Sequence, residues 1–225
     1  MCGRITIATE QETLAVRFHA EATEKIEKRY NAYPNHDTYK LPVITEEEPG
    51  KILMFYWGLV PVWWKRGERG LINVKYETLR DKNTFHKDLA ERRCLILADG
   101  FYEWKGERSH KTPYYIHLKT GEPFAFAGVF ETNKVDGKEL QNFAIITTAP
   151  NELMQSIHNR MPVILNRNAQ ASWLNPDTTP EEALDILADP VPAADMEAYI
   201  VSSNVNRPGY DRPEARERRE RVDGS

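Results

Sequence analysis

The second residue of the chain, Cys2, is the first candidate for chemistry. It follows Met1 and precedes the small residue Gly3, a context that favours removal of Met1 by methionine aminopeptidase. The mature chain would then begin with a 1,2-aminothiol, whose α-amine has an ordinary pKa near ~7.7–8.0 and is partly neutral and nucleophilic at pH 7. Such a group captures aldehydes, because the amine forms an imine and the thiol then closes a thiazolidine ring. Cys2 alone predicts little, since most cysteines at this position have no role.

Three further polar residues stand where core packing does not require them. Glu103 lies in the aromatic run GFYEW at 100–104, and a partly desolvated carboxyl group suits general acid–base catalysis. His158 precedes Arg160, which would place a positive field beside an imidazole that titrates near neutral pH. Asn73 can orient a nucleophile or cap the turn that follows it. Each has a plainer alternative, because a glutamate at a strand end or a histidine on a loop often only faces water.

Aromatic and basic side chains also occur close together along the chain. The set consists of Arg4, Trp63, Trp64, Lys65, Arg66, Lys75, Trp104 and Arg160. Aromatic faces that stack bases, beside charges that follow phosphates, are typical of clefts for single-stranded nucleic acid. The net charge of −4 argues against a surface covered with phosphate-binding charge, so a nucleic-acid site must be local. An aromatic core with solvated charges would give the same pattern.

Length and composition predict one globular domain. The chain has 225 residues, of which 40% are hydrophobic and 28% charged, as in soluble globular proteins. Two cysteines do not make a disulfide framework, and Cys94 in an apolar run is predicted to be a buried thiol, so we expect a reducing cytoplasm. We find no signal peptide and no apolar run of the roughly 20 residues that span a bilayer. No metal or cofactor is expected, because no Cys or His pair has ligand spacing and no Gly-rich phosphate loop occurs.

Hydrophobic periodicity predicts an α+β fold. It is a single domain built on a curved, barrel-like, mostly antiparallel sheet with flanking helices. Strands are expected at 51–60, 94–98, 114–118, 124–130, 143–148, 163–165 and 199–201, with a hairpin turn at Asp136-Gly137. Helices are expected at 10–20, capped by Thr9, and at 86–92, 151–157, 169–174 and 180–188. The domain should cover residues 1–210, and residues 211–225 read as a mobile charged tail.

An ordered set of short motifs runs through most of the chain. The motifs are MCGR at 1–4, WGLVP at 57–61, Asn73 with Glu77-Thr78, RCLI at 93–96, GFYEW at 100–104, FAG at 126–128, TTA at 147–149 and HNRMP at 158–162. Each motif is modest alone, but the ordered set is specific. Together they resemble the SRAP (SOS response-associated peptidase) family, the abasic-site processing proteins. The resemblance extends from residue 1 to about residue 206.

This resemblance implies a protein that crosslinks itself to single-stranded DNA at abasic sites. The N-terminal cysteine would trap the ring-opened sugar aldehyde as a thiazolidine, and the imine stage would permit some strand-cleaving lyase activity. Cys2, Asn73, Glu103 and His158 match the family's active-site residues, and Arg4 matches a phosphate-contacting arginine. We expect a DNA-binding surface made of Arg4, Trp63, Trp64, Lys75, Trp104, Arg160, Met161 and Pro162. The protein is expected to be a monomer that acts on nucleoid DNA.

Two departures from the family pattern and two alternative functions complete the sequence-based expectations. The family usually has Asn-Ala-Arg where this chain has Asn73-Val74-Lys75, and His-Asp-Arg where it has His158-Asn159-Arg160. Lysine offers a point charge instead of a bidentate phosphate contact, so we expect DNA affinity to be affected more than chemistry. One alternative is a cysteine peptidase that uses Cys2, His158 and Asn73 and removes Met1 from itself. The other is a noncatalytic binder of single-stranded DNA.

Overall fold

The computed structural model describes residues 2–34, 39–60, 70–81, 86–106, 111–135, 137–207 and 209–219. The strands are β1 (Ile5–Ile7), β2 (Glu21–Ala22), β3 (Arg29–Ala32), β4 (Leu41–Thr45), β5 (Lys51–Trp57), β6 (Asn73–Lys75), β7 (Arg93–Ala98), β8 (Gly100–Lys105), β9 (Thr112–Leu118), β10 (Phe124–Val135), β11 (Lys138–Thr148), β12 (Met161–Pro162) and β13 (Met196–Ile200). The helices are α1 (Gln11–Phe18), α2 (Tyr76–Asp81), α3 (His86–Glu91), α4 (Glu152–Gln155), α5 (Arg167–Leu174) and α6 (Pro180–Ala188). Short 3₁₀ turns cover Ala193–Asp195, Ser203–Asn206 and Pro213–Arg216.

The larger sheet closes into a five-stranded barrel. Its strands pair in the order β11-β10-β7-β4-β5, and a parallel pairing of β5 with β11 joins the two ends. Every residue of β7 is buried, because both faces of this strand are covered, as its continuous apolar sequence predicts. Closure also leaves these five strands without an open edge. The predicted α+β fold with a barrel-like, mostly antiparallel sheet is therefore confirmed.

A second, antiparallel sheet carries the start of the chain. Its strand order is β13-β9-β8-β1-β3. In β1, Ile5 pairs with Phe101 and Thr6 with Gly100, and the Tyr102 N–H donates to the Arg4 carbonyl at 2.9 Å. Continuing this antiparallel register toward the N-terminus places the residue after Cys2 opposite Glu103. The sheet thus brings the first residues of the chain alongside β8.

Strand β11 of the barrel organises the opposite side of the same region. On one side it pairs in parallel with β6, where Ile145 lies opposite Asn73 and Thr147 opposite Lys75. On its other side it pairs with β12, which directly follows the His158 loop. The register therefore fixes Asn73 and the His158 loop on either side of one strand end.

Several local predictions are confirmed. The hairpin joins β10 and β11, and Gly137 has a φ of 77°, which glycine adopts without a side-chain clash. Helix α6 spans 180–188 as predicted, and the Thr179 side chain accepts from the Glu182 N–H in a capping box at its start. No helix among the described ranges is long and apolar enough to cross a membrane.

The start of α1 differs from the sequence prediction. Its N-cap is Glu10, which makes no side-chain capping bond. The Thr9 hydroxyl instead donates to the Asp99 carboxylate at 2.5 Å. The Thr9 hydroxyl, which the sequence predicted to cap α1, therefore bonds to the turn between β7 and β8 instead.

The stretch 211–219, predicted to be part of a mobile tail, packs against the second sheet. The Asp211 carboxylate accepts hydrogen bonds from the backbone N–H groups of Tyr30 and Asn31. Ala215 is fully buried, and the Arg219 N–H donates to the Ile200 carbonyl at 2.9 Å. Polar contacts hold this stretch, and hydrophobic periodicity does not reveal such contacts. Residues 220–225 lie outside the described residues.

Candidate active site

Cys2 is held at its backbone by Asn73. The Asn73 side-chain amide nitrogen donates to the Cys2 carbonyl at 2.8 Å, which links the start of the chain to β6. The side-chain oxygen of Asn73, Oδ1, is buried and accepts no hydrogen bond from any described residue. Leaving a buried acceptor without a donor lowers the stability of the folded protein by about 1–3 kcal/mol. This side-chain oxygen is therefore an unused acceptor beside the first residues of the chain.

The thiol of Cys2 is fully buried. Burial raises the pKa of the Cys2 thiol above its ordinary value, and the nearby Glu103 carboxylate raises this pKa further. Both effects favour the neutral thiol, because the interior solvates a thiolate poorly and a negative neighbour repels it. A reaction at this sulfur therefore requires a group that accepts the thiol proton as the sulfur bonds.

Glu103 and His158 form a pair beside Cys2. The Glu103 side chain is only 5% exposed, and its Oε1 lies 3.6 Å from His158 Nε2. They come from different elements, since Glu103 is in β8 and His158 follows α4. One hydrogen bond thus joins Asn73 to Cys2, and Glu103, which lies near the Cys2 thiol, pairs with His158.

The other ring nitrogen of His158 contacts two backbone groups of Arg160. The Arg160 backbone N–H lies 3.1 Å from His158 Nδ1, and Nδ1 accepts this bond in the neutral tautomer that carries its proton on Nε2. Nε2 faces Glu103. The Arg160 carbonyl lies 3.2 Å from the same Nδ1 and can accept from it when the ring is doubly protonated. His158 therefore has a partner in either charge state.

Arg4 and Trp104, both predicted to bind DNA, form a partly buried stack. The Arg4 guanidinium lies 6.0 Å from the Trp104 ring centroid and donates to the Asn31 side-chain oxygen at 2.8 Å and the Val205 carbonyl at 2.7 Å. Burial lowers the pKa of Arg4, but a guanidinium stays charged at neutral pH. The Trp104 indole N–H donates to Asn206 at 2.7 Å. Contacts from the C-terminal part of the chain therefore hold both side chains.

The structure separates the other predicted DNA contacts. Lys75 is exposed on β6, two residues from Asn73. Met161 and Pro162 are buried against β11, and their contact with DNA stays a prediction. The pairing of β12 with β11 is the physical reason for this burial, and it gives both residues a structural role. Trp63 and Trp64 lie outside the described residues.

Arg160 contacts protein groups instead of facing solvent. Its guanidinium forms two hydrogen bonds with the Glu77 carboxylate, at 2.7 and 2.9 Å, and a third with the Thr147 carbonyl at 2.6 Å. The guanidinium holds the pKa of Glu77 below its usual range. Sequence reasoning placed Glu77 in a motif but gave it no role. Glu77 and Arg160 are 83 residues apart in the sequence, so no local sequence signal predicts this pair.

Asn31 is a second residue that sequence reasoning missed. It is 2% exposed and accepts from Arg4, while its side-chain nitrogen donates to the carbonyls of Val205 and Tyr210 at 3.1 and 3.0 Å. Nothing in its loop-like sequence context distinguishes it from a solvated asparagine.

Within the described ranges, no group of three or more His, Cys, Asp or Glu side chains is arranged to hold a metal ion.

Comparison with known proteins now places this site in a family. The model of the SOS response associated peptidase (SRAP) family matches residues 1–208, which include every residue of the candidate site. The chain belongs to the SRAP family.

Relatives of this SRAP chain span bacteria and animals. It is 41% identical to the abasic site processing protein YoqW of Bacillus subtilis, over 95% of this chain and 98% of the relative. It is 30% identical to YedK of Escherichia coli, over 91% of this chain and 94% of the relative. HMCES of Gallus gallus is also 30% identical, over 70% of this chain but only 54% of the longer relative. YedK and HMCES are likewise named abasic site processing proteins.

Solved structures share the SRAP fold seen here. A crystal structure of a protein from Bacteroides thetaiotaomicron superposes with a TM-score of 0.86, at 26% identity, and covers 97% of this chain and 100% of the other. A Bordetella bronchiseptica phage-related protein superposes with a TM-score of 0.71 at 29% identity, over 89% of this chain and 94% of the other. The barrel and the second sheet are therefore features of known relatives.

Proposed function

We propose that this SRAP protein traps the aldehyde of an abasic site in single-stranded DNA as a thiazolidine on Cys2, after removal of Met1. The observation that carries the proposal is the hydrogen bond from Asn73 to the Cys2 carbonyl, beside the Glu103–His158 pair. The relatives named abasic site processing proteins support the substrate class. An adduct of this kind would shield the lesion while it persists.

The proposed reaction joins protein and sugar with loss of one water. The sugar hemiacetal opens to an aldehyde, and the neutral α-amine of Cys2 adds to the carbonyl carbon. Loss of water from this carbinolamine gives an imine. The Cys2 sulfur then bonds to the imine carbon while the thiol proton is transferred, in net terms, to the nitrogen. No oxidant or reductant takes part.

Each polar neighbour has a role in these steps. Asn73 holds the Cys2 backbone, and its unused carbonyl oxygen can accept from the α-amine. Glu103 and His158 transfer protons during hemiacetal opening and loss of water. We propose that Glu103 takes the proton of the Cys2 thiol, whose pKa is raised by burial. Ring closure is intramolecular, so the tethered sulfur acts at a high effective concentration.

The imine is also the branch point for strand cleavage. β-Elimination from an imine breaks the DNA strand on the 3′ side of the lesion, which would be a lyase activity. Closure of the thiazolidine removes the imine and therefore limits this path. We propose that lyase activity is minor as long as the thiol is present.

Cysteine peptidase activity is the second candidate, since the family description names it. A cysteine nucleophile attacks peptides as the thiolate, and burial together with Glu103 raises the pKa of the Cys2 thiol. The site therefore favours a reaction that begins at the amine over one that begins at the sulfur. Removal of Met1 would be the smallest peptidase activity consistent with this site.

Intact-mass analysis after incubation with an abasic single-stranded oligonucleotide tests the proposal. We expect a one-to-one adduct whose mass is the sum of protein and oligonucleotide minus one water. An oligonucleotide with an intact base at the same position is the control and should give no adduct. Multiple turnover of a peptide substrate without any DNA adduct would support the peptidase instead.

A free α-amine is required, so the adduct should depend on loss of Met1. We expect purified, crosslinking-competent protein to begin at Cys2, and an uncleaved N-terminal tag to abolish the adduct. The same tag placed after Ser225 is the matched control and should leave adduct formation unchanged. Protein that retains Met1 by intact mass and still forms the stable adduct would exclude the thiazolidine mechanism.

Lys75 tests the proposed DNA contact surface. Its exposed ammonium lies two residues from Asn73, so we expect it to contact a phosphate near the lesion. In Lys75→Ala, the slope of log affinity for single-stranded DNA against log salt should become shallower by about 0.7. Lys51, at the start of β5, is exposed and pairs with Glu48 outside the candidate site, and Lys51→Ala is the control. An unchanged slope in Lys75→Ala would remove Lys75 from the interface.

A further inference from the structure

We propose that Glu77 is a positioning residue: through Arg160, its carboxylate fixes the orientation and tautomer of the His158 ring. The two carboxylate oxygens of Glu77 lie 2.7 and 2.9 Å from the two terminal nitrogens of Arg160. This bidentate arrangement restrains both side chains in one plane, which a single hydrogen bond does not. The effect on the rate of adduct formation rests on the proposed function, but the effect on the His158 tautomer does not.

Glu77 supplies the negative charge beside a largely buried cation. The Arg160 side chain is 15% exposed and that of Glu77 48%, so the pair extends from the interior to the surface. The Thr147 carbonyl also accepts from Arg160, but a carbonyl has no net charge. Removal of the Glu77 carboxylate leaves the largely buried Arg160 charge without its anionic partner, which favours a rearrangement of the Arg160 side chain.

The backbone of Arg160 transmits this restraint to His158. Its N–H lies 3.1 Å from His158 Nδ1, a contact that favours the neutral tautomer with its proton on Nε2. The distance from Nε2 to Glu103 is 3.6 Å. If the Arg160 backbone moves, Nδ1 loses its donor and the ring can turn or change tautomer. The interaction series Glu77–Arg160–His158–Glu103 thus ends at the proposed proton-transfer pair.

The same ion pair joins the two elements that carry site residues. Glu77 is in the first turn of α2, which directly follows β6, the strand that begins at Asn73. Arg160 belongs to the loop that carries His158, before β12. Both elements attach to β11 by backbone pairing, and the Glu77–Arg160 pair adds a side-chain connection across that strand.

The tautomer of His158 can be measured without DNA. Long-range ¹H–¹⁵N correlation spectra of the full chain, labelled at its six histidines, report which ring nitrogen carries the proton. The His158 signals are those missing from a His158→Gln spectrum. We expect the Nε2-protonated form in the native protein and a loss of that single form in Glu77→Ala. Glu77→Gln, which keeps the shape but not the charge, should give an intermediate result.

The matched control is Glu181→Ala, because Glu181 occupies the same second position in the first turn of α6 and is exposed. It should leave the His158 tautomer unchanged. The rate of adduct formation on abasic DNA should fall about tenfold in Glu77→Ala, a part of the 10²–10⁴-fold that a general acid–base contributes, and stay unchanged in Glu181→Ala. If Glu77→Ala does not fold, Glu77→Gln carries both measurements.

The outcomes separate this inference from the proposed function. A native protein whose neutral His158 is protonated on Nδ1 would overturn the inference, as would unaltered His158 signals in folded Glu77→Ala and Glu77→Gln. A tautomer change in a protein that forms no DNA adduct would support the positioning role and reject the proposed function. A tautomer change with an unaltered adduct rate would remove the kinetic part of the inference.

Discussion

Replacement of Cys2 by alanine should abolish the heat-stable adduct with abasic single-stranded DNA. The variant keeps an α-amine once Met1 is removed, so it can still form an imine, but no sulfur is present to close the ring. Borohydride, which reduces an imine to an amine, should therefore still trap the variant on DNA. Because the imine persists, β-elimination should increase, and strand cleavage at the lesion should rise relative to adduct. Denaturing gels with and without borohydride measure both products.

Two related variants make this result specific. Cys2→Ser should give only a labile oxazolidine, since a hydroxyl replaces the thiol, and its adduct should not survive heating. Cys94→Ala is the matched control, because Cys94 is the other fully buried cysteine and lies outside the candidate site. It should crosslink as the native protein does. A heat-stable adduct from Cys2→Ala without reductant would show that the N-terminal aminothiol is not the trap.

Loss of the Glu103–His158 pair should slow adduct formation without weakening DNA binding. Groups that act as general acids or bases contribute about 10²–10⁴-fold in rate, so Glu103→Gln and His158→Ala should each fall by a factor in this range. Neither residue is a cation placed on the proposed phosphate path, so affinity for undamaged single strands should change little. Single-turnover adduct kinetics and fluorescence anisotropy measure the two quantities separately.

The chain contains a matched pair for this experiment. His117 Nε2 lies 3.5 Å from Glu197 Oε2, a geometry close to the 3.6 Å of His158 and Glu103, but outside the candidate site. His117→Ala should therefore leave the adduct rate unchanged. Equal losses of binding and rate in His158→Ala would identify His158 as a structural residue and not a proton-transfer group.

The sequence predicts those parts of the protein whose signals are local. The continuous apolar run of β7 indicates a strand covered on both faces, and all its residues are buried. Asp136-Gly137 predicts the hairpin between β10 and β11, and the periodicity of 180–188 predicts α6. The ordered motifs indicate the family, and with it Cys2, Asn73, Glu103 and His158. These signals depend on neighbouring residues or on order along the chain, and both are visible without coordinates.

The remaining features depend on contacts between distant segments. Arg160 is a plausible phosphate ligand by sequence, but a bidentate bond to Glu77 engages its guanidinium. Met161 follows two polar residues and was expected at the DNA surface, but β12 pairs with β11 and buries it. Asp211 lies in a charged, aperiodic stretch, but its carboxylate satisfies backbone N–H groups of β3. Composition and periodicity carry no signal for any of these three pairings.

The bonds that join Asn31 to the carbonyls of Val205 and Tyr210 have a consequence for the timing of biosynthesis. Asn31 also accepts from Arg4, so the segment that presents Cys2 is completed by residues from the far end of the chain. At about 5–20 residues per second, a ribosome makes Asp211 roughly 9–36 s after Asn31. During that interval the nascent chain carries its N-terminal nucleophile without the contacts that hold Arg4 and Asn31 in place. We therefore expect newly made chains to gain crosslinking competence only after these last segments emerge, well after Met1 becomes accessible for removal.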